Sequence, residues 1–239
     1  MQSSISNRAY LIPVFLLLFS HGLRAQGDCA VYPKGSDEGL ACEYGKKAIT
    51  FKQGSRQSQL LFDSAILLNP DYAWAYYEKS VPYLKRGLLN EGIQLLNKAV
   101  ALEPLNYLPY RAYWFFQHKS YAQCSRDLER YYALDGAYPQ NTPGGALSMR
   151  IVLGLTYDHQ GYNQRAIDLV NETIDAYPSE DHLGPYDFHT LGVLYLNNGQ
   201  YDEAQEALLI STSRNAQFAD SYYYLGLIAE QSGDLNAAR

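Results

Sequence analysis

The sequence predicts an all-α chain, a solenoid of about five and a half helix-turn-helix repeats stacked side by side. Three observations carry this. A short signature returns roughly every 34 residues: Leu191-Gly192, Tyr195, Gly199, Tyr201, Ala204 and Leu208 in one copy, and Leu153-Gly154, Tyr157, Gly161, Tyr162, Ala166 and Val170 in another. Within a copy the apolar residues fall three and four apart, as in Phe188, Leu191 and Tyr195, which puts them on one helix face. A turn former sits between the two halves of each copy, so each copy is a pair of short helices and not one long one. Such a pair cannot bury its apolar face alone and must stack on its neighbours.

Taken in order, residues 1–25 are expected to be a signal peptide outside the fold. Arg8 precedes the apolar run Ala9 to Phe19, and His21-Gly22-Leu23-Arg24-Ala25 ends in a small residue. The run is too short for a membrane span. Gln26-Gly27-Asp28 ahead of Cys29 lacks the small apolar residues of a lipoprotein signal. The mature chain is therefore expected to be exported, to a periplasm or the extracellular space, with no direct membrane insertion. Residues 26–38 form a leader. Export would place Cys29 and Cys42 in an oxidising compartment, where a local disulfide would pin the start of the first helix; two free thiols are the alternative.

Repeats one to three span 39–136 and are atypical. The first has Gly54 at its turn and Ser58, Phe62 and Ala65 on its second helix. The second has Tyr76 and Tyr83 before Gly87, then Gly92, Leu96 and Ala99; Ser80 holds the slot that Gly154 and Gly192 hold elsewhere. Pro82 is expected to kink that helix or to make it begin late. The third diverges most, with Lys119-Ser120-Tyr121 at the turn and Cys124 in the Ala slot, where it reads as buried packing. Residues 137–146 hold Pro139, Pro143 and Gly144, cannot continue a helix, and form a loop at one edge of the stack that could line a binding surface. Repeats four to six occupy 147–239. Ser179 to Gly184 lengthens the step from Gly154 to Gly192 to 38 residues, and the sixth repeat follows the fifth at 34 and reaches Arg239 within its second helix. Gly154 and Gly192 let the facing helix of the same pair approach, so Gly192→Leu should overpack that contact.

This pattern, with several copies of Leu-Gly-x2-Tyr and a following Ala in register, resembles the tetratricopeptide repeat over nearly all of the chain beyond the leader. The resemblance implies a right-handed α–α superhelix whose recurring slots serve packing and whose inner face is lined by first-helix positions. Carried over residue by residue, that lining is Trp74, Tyr77, Val81 and Leu84 in copy two, and Pro109, Tyr113 and Phe116 in copy three. Ile151, Asp158 and His159 continue it in copy four, His189 in copy five and Tyr223 in copy six. A lining rich in rings and poor in charge is expected to hold a protein or peptide segment. The alternative is that the array curls and buries part of this face. A subclass of the family grips a C-terminal carboxylate with inward Lys and Asn side chains; Tyr77, Val81, Tyr113 and Phe116 fill those slots here, and a chaperone-tail adaptor is not expected.

Composition narrows the function further. The formal net charge is −6, and residues 1–25 hold two of the arginines and no acid. An acidic chain without a basic stripe repels phosphate backbones, so nucleic acid is not an expected partner. Tyr supplies 23 of the aromatic residues against 8 Phe and 2 Trp, and its apolar ring with a polar tip suits half-buried surfaces. His159 and His189 on adjacent repeats, with Asp158, could make a weak metal site, but no His-Glu-x-x-His and no paired cysteines support it. No phosphate loop or dinucleotide fingerprint is present, and no cofactor or enzymatic activity is expected. The expected function is a non-catalytic scaffold binding a protein or peptide along the aromatic inner face. The alternative is a structural arm of a larger envelope assembly or sensor continuing past residue 239.

Overall fold

The computed structural model describes residues 28–233; the expected signal peptide and the second helix of the sixth repeat lie outside them. A 3₁₀ turn, Cys29–Val31, leads into helices that come in consecutive pairs. These are α1 (Asp37–Ala48) with α2 (Arg56–Leu68), α3 (Ala73–Lys85) with α4 (Leu89–Leu102), and α5 (Pro104–Gln117) with α6 (Tyr121–Tyr132). Then come α7 (Met149–His159) with α8 (Asn163–Asp175), α9 (Asp187–Asn197) with α10 (Tyr201–Arg214), and α11 (Ala219–Ser232). The described chain is thus an all-α helix-turn-helix solenoid.

Local chemistry sets the ends of these helices. Ser36, Ser55 and Ser148 cap α1, α2 and α7, each accepting from a backbone N–H of the first turn at 3.1, 3.3 and 3.2 Å. The turns inside four of the five complete pairs carry a glycine in the left-handed region, for example Gly161 at φ 83° and Gly199 at φ 76°. In the third pair Lys119 occupies that place at φ 57°, the one non-glycine residue with positive φ among the described residues.

Each helix packs most closely on its own partner, then on the next helix in sequence. First helices also meet one another, α5 with α7 and α7 with α9, whereas second helices do not approach each other as closely. The array therefore curves with its first helices on the inner side. Between partners, small residues set the spacing. A Cβ on Gly192 would lie 2.6 Å from Leu208 Cγ and 3.2 Å from the Ala204 carbonyl oxygen, and one on Gly154 would lie 2.6 Å from Val170 Cγ2. The second pair reverses the arrangement: Ser80 is on α3, and the glycine is Gly92 on α4, where a Cβ would come 2.5 Å from Leu84 Cγ. The core is consequently a chain of adjoining clusters. Phe62, Ala65 and Trp74 anchor one, Leu96, Tyr107 and Tyr131 the next, Leu128, Ile151 and Val170 a third, and Leu208 with Ile228 the last.

Two expectations about α3 need correcting. Pro82 does not delay the helix: α3 begins at Ala73 and runs through Pro82 to Lys85. The proline falls in the last turn, where it removes one intrahelical bond, and its ring is buried against the Gly54 turn of the preceding pair. Trp74 is not an open groove residue. It is only 9% exposed, lies edge-on to Phe62 at 6.0 Å, and covers Gly45, whose Cβ would stand 2.8 Å from Trp74 Cζ3. With no side chain at Gly45, the indole drops into the seam between α1 and α3. Val81, Leu84 and Ile151 are likewise core.

Cys29 and Cys42 form a disulfide with Cα atoms 5.5 Å apart, tying the 3₁₀ turn to α1. Cys124 is free and fully buried, with Sγ 3.3 Å from Thr156 Oγ1. Burial pushes its thiol up to about 11, so it is a packed, protonated thiol at neutral pH.

Candidate functional site

The inner side opens where α3 and α5 part. Unlike α5 and α7, these two first helices are bridged mainly by rings. Tyr77 of α3 stacks on Tyr107 of α5 at 5.1 Å and meets Tyr110 edge-on at 4.9 Å. The ring series continues from Tyr110 to Trp114 at 6.3 Å, and from Trp114 to His118 at 6.0 Å. Geometries of this kind add about 0.5–1.5 kcal/mol per pair beyond area burial.

Beside these rings is a cleft of about 260 Å³, lined by Tyr77, Asn106, Tyr107, Pro109 and Tyr110 and closed on one side by Gln140, Asn141 and Pro143 of the loop after α6. The loop is held in place from both ends. The Tyr131 hydroxyl donates to the Tyr138 carbonyl at 2.6 Å and accepts from the Tyr138 N–H at 3.1 Å. Met149 N–H donates to the Gln140 carbonyl and Thr142 N–H to the Leu147 carbonyl, both at 2.8 Å. The Pro- and Gly-rich segment is therefore an ordered wall of the cleft.

The electrostatics here are one-sided. None of the lining residues is charged, and the acids Glu78 and Glu103 lie close by. Burial, then Glu103, the neighbouring rings and Glu78, raise the Tyr107 hydroxyl far above its ordinary range; burial, Tyr110 and Glu78 do the same for Tyr77. Both phenols are neutral donors at any physiological pH. Glu78 is itself pushed up by burial, opposed by a hydrogen bond from the Trp74 indole and by Lys85. Arg111, the arginine of α5, is committed elsewhere: its guanidinium grips Asp127 through two 2.7 Å bonds and Asn97 through a third.

The other predicted residues are spread along the inner side in separate groups. Phe116 meets Tyr121 and His159 at 6.0 and 6.2 Å, and His159 stacks on Tyr121 at 4.3 Å. Tyr113 is half-buried and edge-on to Trp114. His189 joins α9 to α11: Nδ1 lies 3.0 Å from Ser221 Oγ and the ring packs on Phe218 and Tyr224. Burial lowers its pKa, with Asp220 opposing. Tyr223 is 64% exposed. His159 and His189 thus have different neighbours, and among the described residues no group of three or more His, Cys, Asp or Glu side chains is placed to hold a metal ion.

Of the cleft, sequence reasoning had named Tyr77, Pro109 and the loop. It missed Asn106, Tyr107 and Tyr110, because the register was centred on the middle of α5 while the cleft uses its first two turns. The spacing Tyr107, Tyr110, Tyr113 carries that signal.

Comparison with known proteins supports the architecture. The tetratricopeptide repeat family profile matches residues 189–239. No curated protein matches the sequence. Among solved structures, PilW, described as a type IV pilus biogenesis factor, aligns with a TM-score of 0.64 at 18% identity, covering 83% of this chain and 89% of its own. Pseudomonas aeruginosa pilF aligns at 0.63 with 16% identity, covering 84% and 88%. YrrB, described as a TPR protein with an unusual peptide-binding site, aligns at 0.59 with 16% identity, covering 82% and 92%. At these identities the likeness is one of fold: the chain is a TPR-like solenoid.

Proposed function

We propose that this protein is an exported, non-catalytic scaffold that holds an extended segment of a partner protein along the inner side of its solenoid, anchored in the cleft between α3, α5 and the 137–146 loop. The observation that carries this reading is the convergence of three tyrosine rings and an ordered loop on one cleft of about 260 Å³. That volume lies just below the roughly 300–1,000 Å³ of sites that engulf a small molecule, and suits one or two side chains of a longer partner. The fold supports it in general terms, since curved helical arrays present extended binding surfaces, and one similar structure, YrrB, is described by its peptide-binding site. Export is supported by the apolar run after Arg8 and by the Cys29–Cys42 bond, which belongs in an oxidising compartment.

The test is binding of arrayed random dodecapeptides to the purified mature chain, read by fluorescence polarisation. Tyr110→Ala combined with Gln140→Ala should weaken the selected binders by roughly tenfold or more, with the circular dichroism spectrum kept, while Tyr223→Ala leaves them unchanged. Binders that tolerate the cleft double variant but not Tyr223→Ala would refute the placement, and an array that yields no binder would refute the function.

A further inference from the structure

The chemistry of the cleft narrows the partner. Aromatic faces carry the negative side of the ring quadrupole and attract a cation set over them, best where water is excluded. Tyr77 and Tyr110, both half-buried, bring two such rings to the cleft with centroids 4.9 Å apart, while Tyr107, stacked on Tyr77 at 5.1 Å, is buried behind them. Carboxylates flank them and no cation lines the cleft. Glu103 is exposed at the start of α5 and accepts from Asn106 Nδ2, a lining residue, at 2.6 Å. Glu78 is half-buried beside Tyr77 and Tyr107. Arg111 is held by Asp127 and Asn97, and Lys85, which acts on Glu78, donates to Gln53 at 2.9 Å. Further along the inner side the same bias returns. Asn197 of α9 donates to Asp158 Oδ2 at 3.0 Å, while Oδ1 is buried with no protein donor among the described residues.

Resting on the peptide-binding reading above, we infer that the bound segment is basic: a lysine or arginine side chain enters the cleft over the Tyr77 and Tyr110 rings, with Glu103 as its counter-charge. An alkyl stem lying on these rings and Pro109 would carry its charged head towards Glu103, which Asn106 of the lining already touches. This is the reverse of an inner face that grips a carboxylate with lysines.

The experiment sorts the dodecapeptide array into equal sets of net charge +3, 0 and −3 at matched mean hydropathy. Peptides containing Lys or Arg should bind roughly tenfold tighter than neutral ones. Exposed Glu103→Gln should reduce that preference, and Asn106→Lys, which installs a resident cation at the rim, should abolish it. Gln164→Lys, the same charge change on exposed α8, should leave it intact. Equal binding by neutral and basic sets, or equal loss in Asn106→Lys and Gln164→Lys, overturns the inference while the scaffold reading stands. Failure of every set overturns both.

Discussion

Gly192 shows how little room a single position has in this array. A Cβ there would stand 2.6 Å from Leu208 Cγ, and the Ala204 carbonyl behind it is backbone that cannot rotate away. Gly192→Leu is therefore expected to cost about 1–3 kcal/mol or more, lowering the melting temperature by roughly 2–4 °C per kcal/mol; an unchanged midpoint would mean that α9 and α10 do not meet there. Trp74 is the opposite case, a large residue whose position was misjudged. Its slot in the repeat points inward, but Gly45 on the preceding first helix leaves a gap and the indole fills it. A slot defined by the average repeat says nothing about a neighbour that happens to lack a side chain, so this placement was not legible from Trp74 alone.

At the scale of the helix pair, the third turn is under strain that its counterparts escape. Lys119 adopts φ 57° where Gly54, Gly87, Gly161 and Gly199 stand in the other complete pairs. A left-handed conformation costs a side chain roughly 1–2 kcal/mol, and glycine gives back part of that gain through its freer unfolded chain. Lys119→Gly should accordingly stabilise the protein by up to about 1 kcal/mol, seen as a higher urea midpoint with an unchanged slope; a lower midpoint would show that the lysine side chain contributes something the backbone does not. Helix pairing and turn positions were readable in the sequence because they depend on contacts within some 34 residues. The cleft was only half readable for the same reason. Tyr107 and Tyr110 acquire their role from Gln140 and Asn141, about a repeat further on, across a loop whose path no periodicity specifies.

Across the whole molecule, stability is distributed along a line. The central cluster draws on α5 to α9 together, and α7 buries Met149, Ile151, Val152, Leu153 and Tyr157. By contrast α2, with a packed helix on either side, buries only Ser58, Phe62 and Ala65. Hydrogen exchange should be slower in α7 than in α2, because each pair is supported only by its neighbours. Uniform protection from α1 to α11 would instead indicate one cooperative unit. The disulfide anchors the opposite end, joining Cys29 to α1 where the first cluster has no preceding repeat to lean on among the described residues.

The wall formed by Gln140, Asn141 and Pro143 has one more consequence. Its anchors, Tyr131 on one side and Met149 on the other, belong to the stack, whereas its lining side chains make no part of any core cluster. The cleft thus has two kinds of lining: Tyr77, Tyr107 and Tyr110 also build the core, and the loop side chains do not. On the proposed reading, grafting a different segment between the two anchors would change which peptides bind while leaving the stack intact.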